Sequence, residues 1–228
     1  MKLEYITHMG SDLMVANAAR VSMNKWKTKL DEKDIKLIKY LTEHKHTSPF
    51  RHPQLQVRVT VPIFIARQLH KHIIGMNITL DQFAQNEVSR RYVDDIPEFY
   101  TPKEWRKRPD KSIKQGSSDE TIADILINSD DGNYKYSIEQ TYKSLLNQTE
   151  DFYHDLINTG VAPEMARMIL PQAAYTSWIW TGSLHAWLNL YALRIDSHAQ
   201  KEVQEIAKQL GEILQEHFPY SFEAWTTK

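Results

Sequence analysis

Four regions of the sequence place charged and hydrogen-bonding side chains within or beside apolar segments. In chain order they are residues 46–52, 66–72, 86–92, and the pair 165–171 with 191–200. Arginine, lysine, serine and imidazole groups of this kind bind the phosphates, hydroxyls and base edges of nucleotides. The set therefore indicates an anionic ligand that forms hydrogen bonds, although each region also has a purely structural interpretation.

The region 66–72 carries a cluster of basic residues. Arg67, His70 and Lys71 are spaced to share one face of a helix predicted over 62–72, where Lys71 would act as a point charge on a phosphate. Basic groups near a helix C-terminus are also favoured by the helix dipole, and spacing alone favours this structural explanation. An anion site here stays a hypothesis at this level.

The regions 86–92 and 46–52 are also ambiguous. Glu87, Ser89, Arg90 and Arg91 supply an acceptor, a hydroxyl and two guanidiniums, which suits a nucleotide but also a solvated strand edge. Residues 46–52, with their two histidines and a proline, fit either a ligand-binding segment or a loop between a helix and a strand.

Two arginines lie in apolar sequence surroundings. Arg167 is flanked by methionines and isoleucine, and Arg194 follows a run of leucine and alanine. A buried guanidinium needs an anionic or acceptor partner, which is either a carboxylate of the core or a ligand. Two such arginines favour a ligand.

The composition excludes several kinds of chemistry. The 228 residues include no cysteine, so disulfides, thiolate metal sites and thiol nucleophiles are excluded. The seven glycines form neither a Rossmann nor a P-loop phosphate motif, and the ten histidines show no metal-binding pattern. A net charge of −1 argues against binding nucleic acid through overall charge. No apolar run is long enough to span a membrane and no signal peptide is recognised, so a cytoplasmic protein is expected.

The elements that position these residues are mostly helical. Helices are predicted over 12–22 with Ser11 as cap, 31–44, 62–72, 138–157 with Gly160 as stop, 163–170, 184–194 and 198–217. Strands are predicted over 3–7 and 54–61, an irregular segment over 94–118 and a turn over 129–133. Helices with a few strands predict the α+β class.

Taken in order, the motifs resemble the flavin-dependent thymidylate synthases along nearly the whole chain. The residues that carry the resemblance are 9–12, 18–22, 46–50, 62–68, 86–92, 114–117, 166–171, 181–184 and 194–200. The resemblance implies a single domain over 1–228, with helices packed on a small, mostly antiparallel sheet. It also implies methylation of dUMP to dTMP with FAD, 5,10-methylenetetrahydrofolate and NADPH. The implied enzyme is a homotetramer with active sites between subunits, and it has neither a nucleic-acid nor a membrane partner.

The resemblance also assigns roles to individual residues. The residues implied to bind dUMP are Gln68, Lys71, Glu87, Ser89, Arg90, Arg91, Arg167 and Arg194. The residues implied to face FAD or the folate are His46, Ser48, Lys71, His72, Glu87, Ser183, His185, Asn189 and His198. Arg194 is the implied catalytic residue, in contact with the uracil ring.

This sequence departs from the family pattern at the signature motif. The family has an Arg-His-Arg triplet, a short spacer and a serine, whereas here Lys71-His72-Ile73 is followed by a longer spacer of 15 residues before Ser89. The Lys-His form resembles phage-encoded members. The long segment 73–86 motivates an alternative, a flavin-dependent enzyme that hydroxymethylates or otherwise modifies C5 of a pyrimidine nucleotide.

The missing cysteine agrees with the resemblance. Without a thiol to add to C6 of uracil, a reduced flavin would have to supply hydride there, and the protein would contribute positioning and electrostatics. An arginine beside the uracil ring would stabilise the developing negative charge, and Arg194 is the residue predicted to do so.

Overall fold

The computed structural model describes most of the chain. The described residues are 1–73, 78–79, 82–83, 85–92, 95, 97–110, 116–129 and 132–227. Residues 74–77, 80, 81 and 84 of the long segment after Ile73, and the motif residues Lys114 and Gln115, lie outside them.

The described residues form both helices and strands. The strands are β1 (Lys2–Met9), β2 (Gln54–Pro62), β3 (Ile78–Thr79), β4 (Gln82–Phe83), β5 (Gln85–Glu87), β6 (Asp124–Ser129), β7 (Gly132–Ser137) and β8 (Tyr175–Ser183). The helices are α1 (Asp12–Arg20), α2 (Glu32–Glu43), α3 (Ile63–Leu69), α4 (Ile138–Asn158), α5 (Pro163–Ala166), α6 (Leu184–Arg194), α7 (Lys201–His217) and α8 (Pro219–Thr226).

Among the described residues, the largest sheet has four strands in the order β1-β2-β8-β5. Strand β1 pairs antiparallel with β2, and β5 pairs antiparallel with β8. The predicted α+β class with a small antiparallel sheet is confirmed. The chain divides into two compact units, the first comprising Met1–Val61, Arg67–Glu87 and Ser177–Lys228, and the second Pro62–Ala66 and Val88–Thr176. The single domain over 1–228 stays a prediction.

In the first unit, β2 shows why the hydrophobic pattern predicted a strand. Its four alternating residues Leu55, Val57, Val59 and Val61 have no exposed surface, whereas Arg58 between them is exposed. Side chains of a strand point alternately to opposite faces, so these four contribute one layer of the core.

The helices α6 and α7 of the first unit pack very closely at Gly211. A Cβ built there would lie 2.7 Å from the Tyr191 ring, closer than side chains approach one another. The absence of a side chain at Gly211 therefore permits this contact between the helices.

The ends of two helices are held by carboxylates. Asp31 caps α2 with a capping box, in which its side chain accepts from the Asp34 amide and the Asp34 side chain accepts from the Asp31 amide. The carboxylate of Asp12 accepts hydrogen bonds from the amides of Tyr220 and Ser221 at the start of α8. Ser11 precedes α1 as predicted, but its side chain forms no capping bond.

The second unit contains the β6–β7 hairpin and the long helix α4. In α4, Leu146 and Tyr153 are buried, whereas Leu145 and Phe152 are about half exposed. The helix ends at Asn158, and Gly160 follows with a φ of +89°, which confirms it as the predicted stop.

Several predicted boundaries differ from the structure. Pro62 ends β2 rather than starting a helix, and α3 ends at Leu69, three residues before the predicted end at His72. Strand β8, the β6–β7 hairpin and α8 were not predicted. Within the described residues, none of the helices combines the length and apolar character needed to cross a membrane.

Candidate active site

The first unit brings together the turn after α3, the end of α6 and the start of α7. Arg194 is the last residue of α6, and its Nε donates a hydrogen bond to Nε2 of His72, 2.7 Å away. Gln68 donates from Nε2 to Oε1 of Gln200, the residue that precedes α7, at 2.5 Å. Two of the predicted dUMP residues, Gln68 and Arg194, and one predicted FAD residue, His72, therefore take part in two side-chain hydrogen bonds between these segments.

The pair of Arg194 and His72 carries one positive charge. Desolvation first, and the charge of Arg194 second, lower the pKa of His72 from 6.5 to about 4, so its ring is neutral at physiological pH. Burial lowers the pKa of Arg194 as well, but a guanidinium in a protein stays protonated. Among the described residues, neither terminal nitrogen of Arg194 has a hydrogen-bond partner. The arrangement therefore presents a fixed guanidinium that can stabilise negative charge on a ligand.

His70 lies two residues before His72 and contacts the sheet. Its ring packs edge-on against Trp178 of β8 with centroids 4.6 Å apart, and in the described part of the chain its buried Nε2 has no hydrogen-bond partner. Burial lowers the pKa of His70, and the nearby Glu87 carboxylate opposes this. Glu87 is held next to Trp178 by the pairing of β5 with β8.

The predicted helical face of basic residues is wrong. Because α3 ends at Leu69, His70 and Lys71 lie in the turn after the helix and only Arg67 is helical. Lys71 is exposed there. Sequence periodicity indicated a helix through this turn, but the chain leaves the helix where His70 packs on Trp178.

In the second unit, the segment after β5 carries two guanidiniums, of which Arg91 is exposed and Arg90 is half-buried. Nε of Arg91 donates to Oγ of Ser89 at 3.1 Å, and the Arg91 guanidinium lies 5.1 Å from the centre of the Tyr92 ring. Arg90 donates to the carbonyl of Asp95. Arg91 is exposed, so it can reach an anion.

Arg167 is also exposed, in a 3₁₀ turn after α5. Its Nε donates to the Glu164 carbonyl at 3.3 Å, and the neighbouring Met165 and Met168 are 50% and 70% exposed. The prediction of a buried arginine in an apolar environment is wrong for Arg167, because these methionines are on the surface. Arg194, which is half-buried, fits that prediction better.

The residues predicted to face FAD or folate divide into exposed and buried groups. His46 and Ser48 are exposed before β2, with the His46 ring 6.2 Å from that of Tyr40. His198 is exposed after α6, where its amide and Nδ1 both lie within 2.9 Å of the Asp196 carboxylate. These groups are accessible to a ligand.

The residues of that set at the start of α6 are mostly buried. Ser183 is 4% exposed and its hydroxyl accepts from the Ala186 amide, which caps α6. His185 is 6% exposed, with Nε2 lying 3.1 Å from Nδ2 of the half-buried Asn189. Ser183 therefore has a structural contact that the sequence did not reveal. The assignments of individual residues to dUMP and FAD stay predictions.

Comparison with known proteins identifies the family. The family model described as thymidylate synthase complementing protein matches residues 4–220. The flavin-dependent thymidylate synthase of Thermosipho africanus is 38% identical over 98% of this chain and 90% of the relative. That of Kosmotoga olearia is 37% identical over 95% of this chain and 86% of the relative.

Solved structures agree with the fold. A UMP/dUMP methylase, PolB from Streptomyces cacaoi, bound with 5-Br dUMP, superposes with a TM-score of 0.77 at 25% identity, over 99% of this chain and 94% of that one. Its complex with 5-Br UMP gives 0.76, over 99% and 93%. With nearly full coverage in sequence and structure, the chain belongs to the flavin-dependent thymidylate synthase family of methyltransferases.

Proposed function

We propose that this protein methylates C5 of dUMP to give dTMP, with FAD as its flavin, 5,10-methylenetetrahydrofolate as one-carbon donor and NADPH as reductant. The observation that carries the proposal is the 38% identity to the Thermosipho africanus enzyme over 98% of the chain. The absence of cysteine supports it, because C6 of the uracil ring must then be activated without a thiol.

Arg194 is the proposed catalytic residue. Addition of hydride at C6 would leave the uracil ring as an enolate, with negative charge shared between C5 and the adjacent carbonyl oxygen, before C5 attacks the one-carbon donor. The Arg194 guanidinium, which donates a hydrogen bond to His72 at 2.7 Å, carries the positive charge that would stabilise this enolate. Its permanent positive charge also favours the ionised form of the uracil ring.

The remaining nucleotide contacts are proposed from the resemblance, and the exposure of Lys71, Glu87, Arg91 and Arg167 supports four of them. Surface guanidiniums bind phosphate through paired N–H groups, and hydroxyl and carboxylate groups bind the sugar and the base. The proposed dUMP residues besides Arg194 are Gln68, Lys71, Glu87, Ser89, Arg90, Arg91 and Arg167.

Some of the residues proposed to contact the flavin expose groups that can bind a dinucleotide. Lys71 supplies an exposed cation for the pyrophosphate, while Ser48, His46 and His198 expose groups that form hydrogen bonds. The other members of the set are His72, Glu87, Ser183, His185 and Asn189. When bound in reduced form, the flavin supplies the hydride for C6. His46 and His198 are also the residues proposed to lie near the folate.

A homotetramer with active sites between subunits is part of the proposal. In the second unit, the large apolar side chains of Leu145, Phe152, Met165 and Met168 are all at least half exposed. Contact with another copy would remove these exposed apolar side chains from water.

A second candidate is a related C5 modification of another pyrimidine nucleotide. It is favoured by the structural similarity to PolB, a UMP/dUMP methylase that binds 5-Br UMP as well as 5-Br dUMP. The long spacer between Ile73 and Ser89 is a further departure on which an altered substrate or product could depend.

The deciding experiment uses the purified full chain loaded with FAD. Incubation with dUMP, methylenetetrahydrofolate and NADPH, followed by mass spectrometry, is expected to give dTMP, and omission of the folate should abolish the product. Parallel reactions with UMP test the second candidate. A protein that cannot be loaded with flavin, or that gives a C5 product other than dTMP, would contradict the first proposal.

A further inference from the structure

The bond between His72 and Arg194 joins two residues that the resemblance assigns to different ligands. His72 belongs to the set predicted to face FAD, and Arg194 to the set predicted to bind dUMP. In this structure the His72 ring nitrogen Nε2 instead contacts the guanidinium directly, at 2.7 Å across 122 residues of sequence. The imidazole of His72, predicted to face FAD, is therefore hydrogen-bonded to a residue that is predicted to bind dUMP.

The direction of this hydrogen bond fixes the protonation of His72. Nε of an arginine always carries a proton, so Nε2 of His72 must be the acceptor and the ring must be neutral with its proton on Nδ1. Burial and the positive charge of Arg194 both favour the neutral ring, since they lower the pKa of His72 to about 4. The bond therefore persists throughout the neutral pH range.

The bond also leaves the terminal nitrogens of Arg194, rather than Nε, to contact a ligand. A guanidinium is planar, so fixing Nε restricts the rotation of the whole group. With Nε occupied by His72, the two terminal nitrogens are not bonded within the described part of the chain, and they form a pair of donors of the kind that binds two acceptors on one planar ligand.

We propose that His72 is a positioning residue for Arg194, which orients the two terminal guanidinium nitrogens toward the pyrimidine ring. This inference rests on the proposed function, because the pyrimidine is the ligand that it assigns to Arg194. It gives His72 a role in nucleotide binding and turnover that is separate from contact with the flavin.

A double-mutant cycle tests whether His72 acts through Arg194. His72→Leu, Arg194→Ala and the double variant are loaded with FAD, and the dUMP dissociation constant and the kcat for dTMP are measured for each. His72→Leu is expected to reduce kcat/KM for dUMP on the order of tenfold, as contacting residues do when coupled. In the Arg194→Ala background, the same substitution should cause no further loss.

Two matched variants separate positioning from general disturbance. His72→Gln retains an acceptor oxygen for Nε of Arg194 and should keep more activity than His72→Leu. His154→Leu, which replaces an exposed histidine of α4 bonded to Asn158, should leave dUMP binding and FAD affinity unchanged. Thermal midpoints of all variants show whether each remains folded.

Two results would overturn the inference. One is an equal loss from His72→Leu with and without Arg194, since independent effects add. The other is a fall in FAD affinity that accounts for the whole loss of kcat/KM, because His72 would then serve the flavin.

The state of the imidazole distinguishes failure of this inference from failure of the proposed function. Nitrogen resonances of ¹⁵N-histidine-labelled protein should show His72 with its proton on Nδ1 down to about pH 5, and Arg194→Ala should raise its pKa. A wild-type protein that binds no dUMP overturns the proposed function. A His72 that titrates near 6.5 in a protein that does bind dUMP overturns the positioning role.

Discussion

Two arginines of the first unit, Arg20 and Arg194, each end a helix but have opposite kinds of partner. Arg20 forms an ion pair with Asp34, whose side chain is fully buried, and Lys27 approaches the same carboxylate at 3.3 Å. Arg194 instead bonds to the neutral ring of His72. We call the residues around Arg20 the first region and the pair of Arg194 and His72 the second region. In the first region the Asp34 carboxylate neutralises the charge of Arg20, whereas in the second region the charge of Arg194 is not neutralised by His72.

The difference separates a structural arginine from one that is available to a ligand. A buried cation with a carboxylate partner is explained by the fold, because neither charge tolerates burial alone. A cation that is hydrogen-bonded to a neutral acceptor is not neutralised, so it can still bind an anionic ligand. Both arginines lie in motifs that resemble the family, so membership in a motif does not by itself indicate contact with substrate.

The largest expected effect comes from breaking the first region. Asp34→Ala leaves Arg20, whose side chain is only 11% exposed, without its carboxylate, and should lower the free energy of unfolding by about 3–5 kcal/mol. Denaturation of the FAD-free protein by urea measures this loss. The control Glu139→Ala breaks an exposed ion pair with Lys143 on α4 and should not change the midpoint. Equal urea midpoints for the two variants would show that the buried ion pair stabilises the protein no more than the exposed one does.

Breaking the second region should affect catalysis more than folding. Arg194→Ala removes the donor proposed to stabilise charge on uracil, and kcat should fall on the order of 10²–10³-fold while the thermal midpoint changes little. Arg194→Lys retains the charge but not the planar fork, so an intermediate loss is expected. Steady-state formation of dTMP measures all three proteins. If Arg194→Ala retained most of its turnover, the assigned role would be wrong.

A substitution at Ser183 tests the cap at the N-terminus of α6, the helix that ends at Arg194. Its hydroxyl accepts from the Ala186 amide and caps α6, so Ser183→Ala should cost about 1 kcal/mol of stability. Ser183→Thr keeps a capping hydroxyl and should cost less. A flavin titration of both variants then shows whether Ser183 also contributes to FAD affinity, as the resemblance predicts. Unchanged stability in Ser183→Ala would mean that the cap is not needed.

The pH dependence of stability also distinguishes the His72–Arg194 pair from the residues around Arg20. The pKa of His72 is about 4 in the folded protein and 6.5 ordinarily, so its contribution to stability is complete above 6.5 and is lost as pH falls toward 4. Asp31, next to the Arg20 region, has a pKa lowered from 3.8 to about 2, mainly by its hydrogen bond with Lys27. Its contribution is complete above 3.8 and is lost as pH falls toward 2.

Unfolding free energies measured between pH 7 and pH 2 check both windows. His72→Leu should flatten the dependence between about 6.5 and 4, and Asp31→Asn the dependence below 3.8. If His72→Leu left the upper window unchanged, the burial of the neutral imidazole would not be linked to folding.

Local patterns predicted the elements whose stabilising contacts are nearby in sequence. Strand β2 alternates because one face is buried, and α2 carries its own capping box at Asp31. Helix α6 was predicted with the bounds Leu184–Arg194 that the structure shows. For β2 the alternation lies within the strand, and for α2 the capping residue directly precedes the helix.

The elements that were missed depend on distant contacts. Strand β8 lies between β2 and β5, and most of its residues are buried, so it lacks the alternation of a strand with one exposed face. Helix α8 is capped by Asp12, whose carboxylate accepts from the amide of Ser221, 209 residues away. No local pattern can reveal either contact.

The sequence by itself determined the family, the exclusion of thiol chemistry and the set of polar residues from which the candidate site is drawn. Those conclusions depend on residue type and order, which are complete in the sequence. Only the tertiary structure decided that α3 ends before His70, that Arg167 is exposed and that Arg194 is held by His72. The physical reason is that a charge acquires its role from its partner, and the partner of Arg194 lies 122 residues away along the chain.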